Sequence, residues 1–532
     1  MQADVQKLWF VARRFQALAD RIDRLQPQKW LEEDGPRLKK IIGDIMMARL
    51  HQKELLSQHG VMSLMAKIEE YSENLTDHDK ALIRLMRRQV MAVAALDDED
   101  IVEMEMITAE SEQDWLASFD KMEAGGGQAV FEAQIPALEA VFATRGQQTR
   151  KTAEKSGLLP SEVLVDEWNP GLRNTDIDRM FDEACETYPA LMREAHEKAA
   201  GLPPLVDPGR DHPAFTVERQ LDFFRMLQET MLSCAGWTEE SLKEAGVQLH
   251  GPAFLPNPFC WGTRRDIWLT IEHRKNRDFV LSVANTLHET GHLLYLLSLN
   301  YLPEKVKDTP LGQVNGYGMH EVIAMFFEQV ACRPGFWELL APMIRAHFGV
   351  DGPEWTAENL RAVMNRPFAG KTEWGASELV LMPNMYYRVM AERRIIDGAM
   401  SVRDLPQFWA ETMTRLTQLP HDAADFYVDE SHWLDRQMGY FPAYWMGALC
   451  GAKLHALADA QSPLTAKTLE AYLRIFYDTA YDKIMRHAAM DAPMEIIRRE
   501  LGGAPEDFTA LYIEWMIENA FPVKAGLAAC TT

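Results

Sequence analysis

Apolar residues recur at helical spacing along most of the chain, and one stretch departs from that rhythm. In "NTDIDRMFDEACETYPALMREAHEKAA", Ile177, Met180, Phe181 and Ala184 mark a single helical face. Thr175 with Asp178 three residues on reads as its capping signal, and Pro189 is expected to kink or end it. The exception is "DIWLTIEH", where Ile267, Leu269 and Ile271 fall at every second position, the strongest strand signal in the sequence. It follows "HGPAFLPNPFCWGTRR", which reads as a Pro/Gly loop, and it is expected to be an edge strand. Such a strand either holds an extended peptide by main-chain hydrogen bonds or belongs to a small structural hairpin. The glycine cluster "EAGGGQ" at 123–128 reads as a hinge or loop. It divides an N-terminal helical region, 1–122, from a helical body, 129–532, the two forming one continuous fold. No internal repeat is visible. The pattern therefore predicts a mostly α fold: a large helical body with a cleft and a small β-sheet.

The apolar run around "TLHETGHLLY" (286–295) interrupts its own pattern with two histidines and a glutamate. Val280, Leu281, Val283, Leu287, Leu293 and Leu294 argue for a buried helix. His288 and His292 are four apart, so on that helix they sit about 40° apart on one face, one turn along the axis. Two imidazoles so placed can each offer a nitrogen to one metal ion. Glu289 stands where it can take a proton from water beside that ion. The spacing is the H-E-x-x-H pattern; its bland counterpart is a pair of satisfied core histidines.

A catalytic zinc usually keeps three protein ligands. "TPLGQVNGYGMHEVIAMFFEQ" at 309–329 offers Glu321, with His320 adjacent and Glu328 seven residues on, on the same helical face. Glu321 opens an apolar run, and a buried carboxylate is costly unless a cation receives it. Glu321 is thus the expected third ligand, and Glu328 a partner that orients a histidine.

Charge and composition narrow the field. The chain has 532 residues, a formal charge of −24, 47% hydrophobic and 25% charged residues. The negative balance argues against nucleic-acid or anionic-membrane partners. No apolar run approaches the ~20 residues of a membrane span. The six cysteines form no C-x-x-C, so they offer no thiolate zinc site and fit a reducing compartment. With no signal-peptide core at the start, a cytoplasmic location is the expectation.

Several motifs in order, "VLVDEWNPGLRNTDIDRMFDE", "HETGHLLY", "TPLGQVNGYGMHE", "SVRDLPQFW" and "HWLDRQMGYFPAY", resemble the thermostable-carboxypeptidase (carboxypeptidase Taq) family of metallocarboxypeptidases. The resemblance covers roughly residues 150 to 505. It implies a helical fold with a long cleft, a small sheet beside the metal, and a homodimer. It also implies metal binding by His288, His292 and Glu321, the residues reached above. His432 and Tyr440 match the family's candidates for stabilising the oxyanion, and Arg388 its candidate for holding a terminal carboxylate.

Away from the metal the match is looser. The family's D-x-R-x-T strand is "DIWLT", keeping Asp266 and Thr270 but placing Trp268 at the arginine position. H-E-S-Q-S becomes "HEVIA", and I-R-Y-E-L-E becomes "YRVMAE" with Arg388 and Glu392 retained. Asp266, Trp268, Thr270 and Arg388 are the expected substrate contacts, with Arg264 or Arg265 as substitutes for the missing arginine. The resemblance implies a divalent-metal carboxypeptidase, zinc suiting the donor set and cobalt or manganese also fitting it. Two alternatives stand beside it. One is a metal-dependent hydrolase of a small or unusual N-acyl amide; the other is a non-catalytic binding protein on the same scaffold.

Overall fold

A computed structural model describes residues 2–32, 34–58, 60–123, 127–202, 213–255, 258–272, 279–366, 378–428, 431–461 and 466–522. Helices dominate, and their ends follow local chemistry. Thr76 accepts from the Asp79 backbone N–H while Asp79 accepts from that of Thr76, a reciprocal cap that starts the helix Asp77–Ala94. The helix Asn174–Ala200 begins two residues earlier in register than the Thr175 signal suggests. Its cap is the Asp176 carboxylate, which accepts from the Arg173 N–H at 3.1 Å. Nor does Pro189 end that helix, which continues to Ala200.

Of the glycine cluster, residues 124–126 lie outside the described residues. The helices on either side, Asp98–Glu123 and Gly127–Ser156, pack on each other. Most buried apolar side chains form one connected core that runs from Leu8 to Phe521, with a small separate cluster of Ile22, Ile45 and Ala48. Polar ties also span the sequence: Lys29 and Trp30 donate to Asp435 at 2.9 Å each, and Trp115 donates to the Val428 carbonyl at 3.2 Å.

The sheet corrects two expectations. β1 (Gln248–Leu255), β2 (Cys260–Thr263) and β3 (Asp266–Glu272) are ordered β1-β3-β2, β1 parallel and β2 antiparallel to β3. The "DIWLT" strand is therefore central, with both its hydrogen-bonding edges occupied. The Pro/Gly stretch read as a loop supplies most of both neighbours: Pro252 lies within β1 where its register with β3 shifts between His250 and Ala253, and Pro258 lies between β1 and β2. Ile267, Leu269 and Ile271 are fully buried, as their alternation requires. Among the described residues no helix is long and apolar enough to cross a membrane.

Candidate metal centre and active site

The motif lies on the helix Phe279–Ser298, which packs against β2, β3 and the helix Gly316–Glu328. Two glycines set that packing. A Cβ on Gly291, within the motif, would meet Ala324 Cα at 3.1 Å and the Ile323 carbonyl at 3.2 Å. One on Gly447, in the helix Pro442–Gln461, would meet the Glu321 carbonyl at 2.9 Å. The helix carrying Glu321 is thus approached at both places more closely than most side chains allow. From this helix Glu321 reaches both histidines.

His288 Nε2 lies 3.5 Å from Glu321 Oε2, and His292 Nε2 lies 3.4 Å from Glu321 Oε1. One donor atom from each of the three lies within 4.8 Å of the others. All three side chains are buried, Glu321 at 1% exposure, and its Oε2 has no hydrogen-bond partner among the described residues. A buried carboxylate with one oxygen unmatched, facing two imidazole nitrogens, is the donor set that fits a divalent cation. His288 donates from Nδ1 to Glu328 at 2.7 Å, which turns Nε2 inward. Tyr440 donates to Glu321 Oε1 at 2.5 Å.

The electrostatics ask for positive charge. Burial alone would depress His288, but the hydrogen bond to Glu328 and the charges of Glu321, Glu328 and Glu289 carry it up to about 10. Glu289 is pushed up to about 8, first by burial and then by repulsion from Glu321 and Glu328, His288 acting against them. His288 and Glu289 thus hold onto protons amid negative charge that a cation would otherwise satisfy. His292 and His320 are held well below the imidazole range by burial and by the neighbouring histidines.

The segment Ser431–Phe441 brings His432 and Tyr440 to the same hollow, and remote residues tie it down. Glu392 accepts from Trp433 Nε1 at 2.8 Å and from the Gly439 N–H at 2.9 Å. Trp168 donates to the Met438 carbonyl at 2.8 Å. His432 Nε2 pairs with the Tyr444 hydroxyl at 3.2 Å. Burial, with the charge of Arg388 second, lowers His432 to about 3, so its ring is neutral near pH 7. The hollow beside the triad has a volume of about 130 Å³ and an aromatic wall that includes Trp30, Trp261, Tyr317, Tyr440 and Tyr444.

The profile of the family described as Carboxypeptidase Taq (M32) metallopeptidase matches residues 43–518. The chain belongs to this family. That assignment makes it a metallocarboxypeptidase and widens the 150–505 window read from the motifs. It is 25% identical over 476 residues to thermostable carboxypeptidase 1 of Pyrococcus furiosus, covering 88% of each chain. Against thermostable carboxypeptidase 1 of Thermus thermophilus it is 27% identical over 385 residues, 70% of this chain and 71% of the relative. Its fold is that of Trypanosoma cruzi metallocarboxypeptidase 1, with a TM-score of 0.82 at 22% identity over 98% of this chain and 100% of that one.

The structure brings together Glu289, His288, His292, Glu321, His432 and Tyr440 around one hollow. It does not bring the expected substrate contacts there. Trp268 stacks on His250, ring centroids 4.2 Å apart, and His250 is held by Asp266 at 2.9 Å. Thr270 accepts from the Phe259 N–H at 2.7 Å, a link between strands. Asp266, Trp268 and Thr270 do not line the hollow; their contacts are to His250 and to the segment that leads into β2. Arg264 is spent on Asn300 and Asp308. Arg388 is fully buried, bonded to Asn384 at 3.1 Å and lying 5.5 Å from the Phe441 ring centroid, behind the wall rather than in it. Of the aromatic wall, the sequence pointed only to Tyr440. Tyr317 stood within the quoted Glu321 stretch and Tyr444 within "HWLDRQMGYFPAY", so proximity to the motifs was a usable signal. Trp30 had none.

Proposed function

We propose that the chain releases single residues from peptide C-termini, with His288, His292 and Glu321 holding one divalent metal, zinc suiting the donor set. The observation that carries this is the buried triad with the Glu289 carboxylate beside it, in a chain of this family. A metal there supplies a Lewis acid that polarises the scissile carbonyl and makes nearby water more acidic. Glu289 accepts the proton of the attacking water and returns it to the departing amine. Tyr440 and His432 offer donors to the developing oxyanion, each worth on the order of 3 kcal/mol when well aimed. The neutral ring of His432 suits a group that donates one hydrogen bond and keeps its proton. Arg388, whose charge is felt at His432, favours an anion on that side of the hollow and so a terminal carboxylate. Its role is electrostatic, through the wall.

A homodimer rests on the family resemblance and a cytoplasmic location on free cysteines that fit a reducing compartment, and sedimentation of the purified chain tests the first. The test of function is a pair of peptides identical but for a free or an amidated C-terminus, followed by mass spectrometry. Stepwise loss of C-terminal residues from the free peptide alone supports the reading. Equal cleavage of both would hand the site to the amide-hydrolase alternative.

A further inference from the structure

Beyond the triad the hollow continues. Trp261, Tyr317 and Gln437 wall both it and a second cavity of about 360 Å³. Arg88, Glu167 and Arg436 wall both that cavity and a third of about 560 Å³. A carboxypeptidase releases one residue at a time, so the released side needs room for one residue only. Two large successive cavities therefore belong to the upstream, N-terminal part of the substrate, given the carboxypeptidase reading on which this inference rests.

The third cavity has an unusual charge balance for a chain of net charge −24. Seven arginines, no lysine and three acidic residues line it. The acids are already shared. Asp166 serves both Arg88 and Arg173, at 3.0 and 2.8 Å, and Glu167 serves both Arg145 and Arg436, at 2.5 and 3.6 Å. Asp100 is held by Lys151 at 2.7 Å. Arg84 donates to the carbonyls of Ala489 and Met490, at 3.1 and 3.2 Å, and Arg87 pairs with the half-exposed Glu69. Arg49 is held by Glu105 at 2.5 Å, which Arg436 also meets at 2.9 Å, so among the described residues the seven arginines meet four carboxylates, Glu69, Glu105, Asp166 and Glu167, and outnumber them. Leu96, Ile101, Met104 and Val163 form the apolar part of the wall, which strengthens the field in the space between.

We propose that this cavity binds carboxylate side chains of the peptide substrate several residues upstream of the bond that is cut, so that acidic peptides are preferred. Guanidinium groups suit that ligand, since their planar fork matches two carboxylate oxygens.

The experiment uses the metal-loaded full chain and a peptide series with one fixed C-terminal dipeptide. A single Glu, Gln or Lys is walked upstream one position at a time, and kcat/KM is measured. The Gln series is the control: if it is not trimmed, the carboxypeptidase reading itself fails. If it is trimmed, Glu at the positions that reach the cavity is expected to exceed Gln by about tenfold at low salt, with Lys below Gln. The ratio is expected to shrink toward one near ~1 M salt, where screening is short-ranged. Arg84→Gln and Arg87→Gln, made separately so that misfolding of one does not end the test, should each reduce the Glu-to-Gln ratio. A ratio of one at every position in the native protein at low salt would overturn the proposal.

Discussion

His288 Nδ1 donates to Glu328 Oε2 at 2.7 Å across two helices, Phe279–Ser298 and Gly316–Glu328. The contact fixes which imidazole nitrogen faces the triad, and it joins the helix that carries both histidines to the one that carries Glu321. Metal affinity should therefore separate the two glutamates. Glu321→Ala removes a donor atom and should abolish stoichiometric binding. Glu328→Gln keeps an acceptor oxygen but not the charge, and is expected to weaken zinc by about 10- to 100-fold. Competition against a chelator of known affinity measures both. Equal affinity in the two variants would contradict the assignment of roles.

Glu289→Gln keeps the shape of the side chain but cannot accept a proton. Metal content should stay near native while peptide turnover falls by at least ~10²-fold. Elemental analysis beside a rate measurement checks it; near-normal turnover at full metal content would remove Glu289 from the mechanism.

How much of this was legible in the sequence differs by residue, for physical reasons. His288, His292 and Glu321 could be read because helix periodicity places i and i+4 on one face and because a carboxylate opening an apolar run needs a partner. Glu328 followed from the same periodicity. The roles expected for Trp268 and Arg388 came from motif positions alone, and motif position does not say which face of a strand or helix meets the cavity. Whether β3 was central or an edge depended on two flanking strands hidden in a Pro/Gly stretch. Trp30 and the arginine-lined cavity depend on helices hundreds of residues apart in sequence, where no local pattern reports contact. Gly291 carried a signal only in hindsight: its need is set by the helix that crosses it.

Arg388 offers a test of electrostatics through the wall. Arg388→Met keeps much of the stem and removes the charge. KM for peptides with a free C-terminus should rise about 10-fold or more, while the binding of amidated analogues, measured as competitive inhibition, changes little. It should also raise the pKa of His432 from about 3, because the guanidinium is one of the causes that hold it down. NMR titration of the His432 ring measures that directly. Unchanged KM and an unchanged His432 titration would show that the charge does not reach the hollow.

Glu378 predicts a pH dependence of stability away from the chemistry. Burial, with Glu328 second, raises it to about 7, although Gln329 and Tyr512 each donate to it at 2.9 Å. The folded state holds this proton more tightly than the unfolded chain. Stability is therefore lost as pH rises from the ordinary 4.5 toward about 7, and the loss is complete above that, about 3 kcal/mol at most. Glu378→Gln retains the acceptor for both donors and should remove this loss. Denaturant unfolding at pH 5 and pH 8 checks it: the variant should gain over the native protein at pH 8 and not at pH 5. An equal gain at both would rule out titration as the cause.

The central claim is that the buried triad holds the one metal on which C-terminal trimming depends. Metal-stripped protein is titrated with zinc, and bound metal and residue release from a free C-terminal peptide are followed in the same samples. The account predicts that release is absent without metal, rises in proportion to bound zinc and saturates at one ion per chain, while His288→Ala binds none and releases nothing. Trimming by the stripped protein, or a stoichiometric ion that persists in His288→Ala, would contradict it.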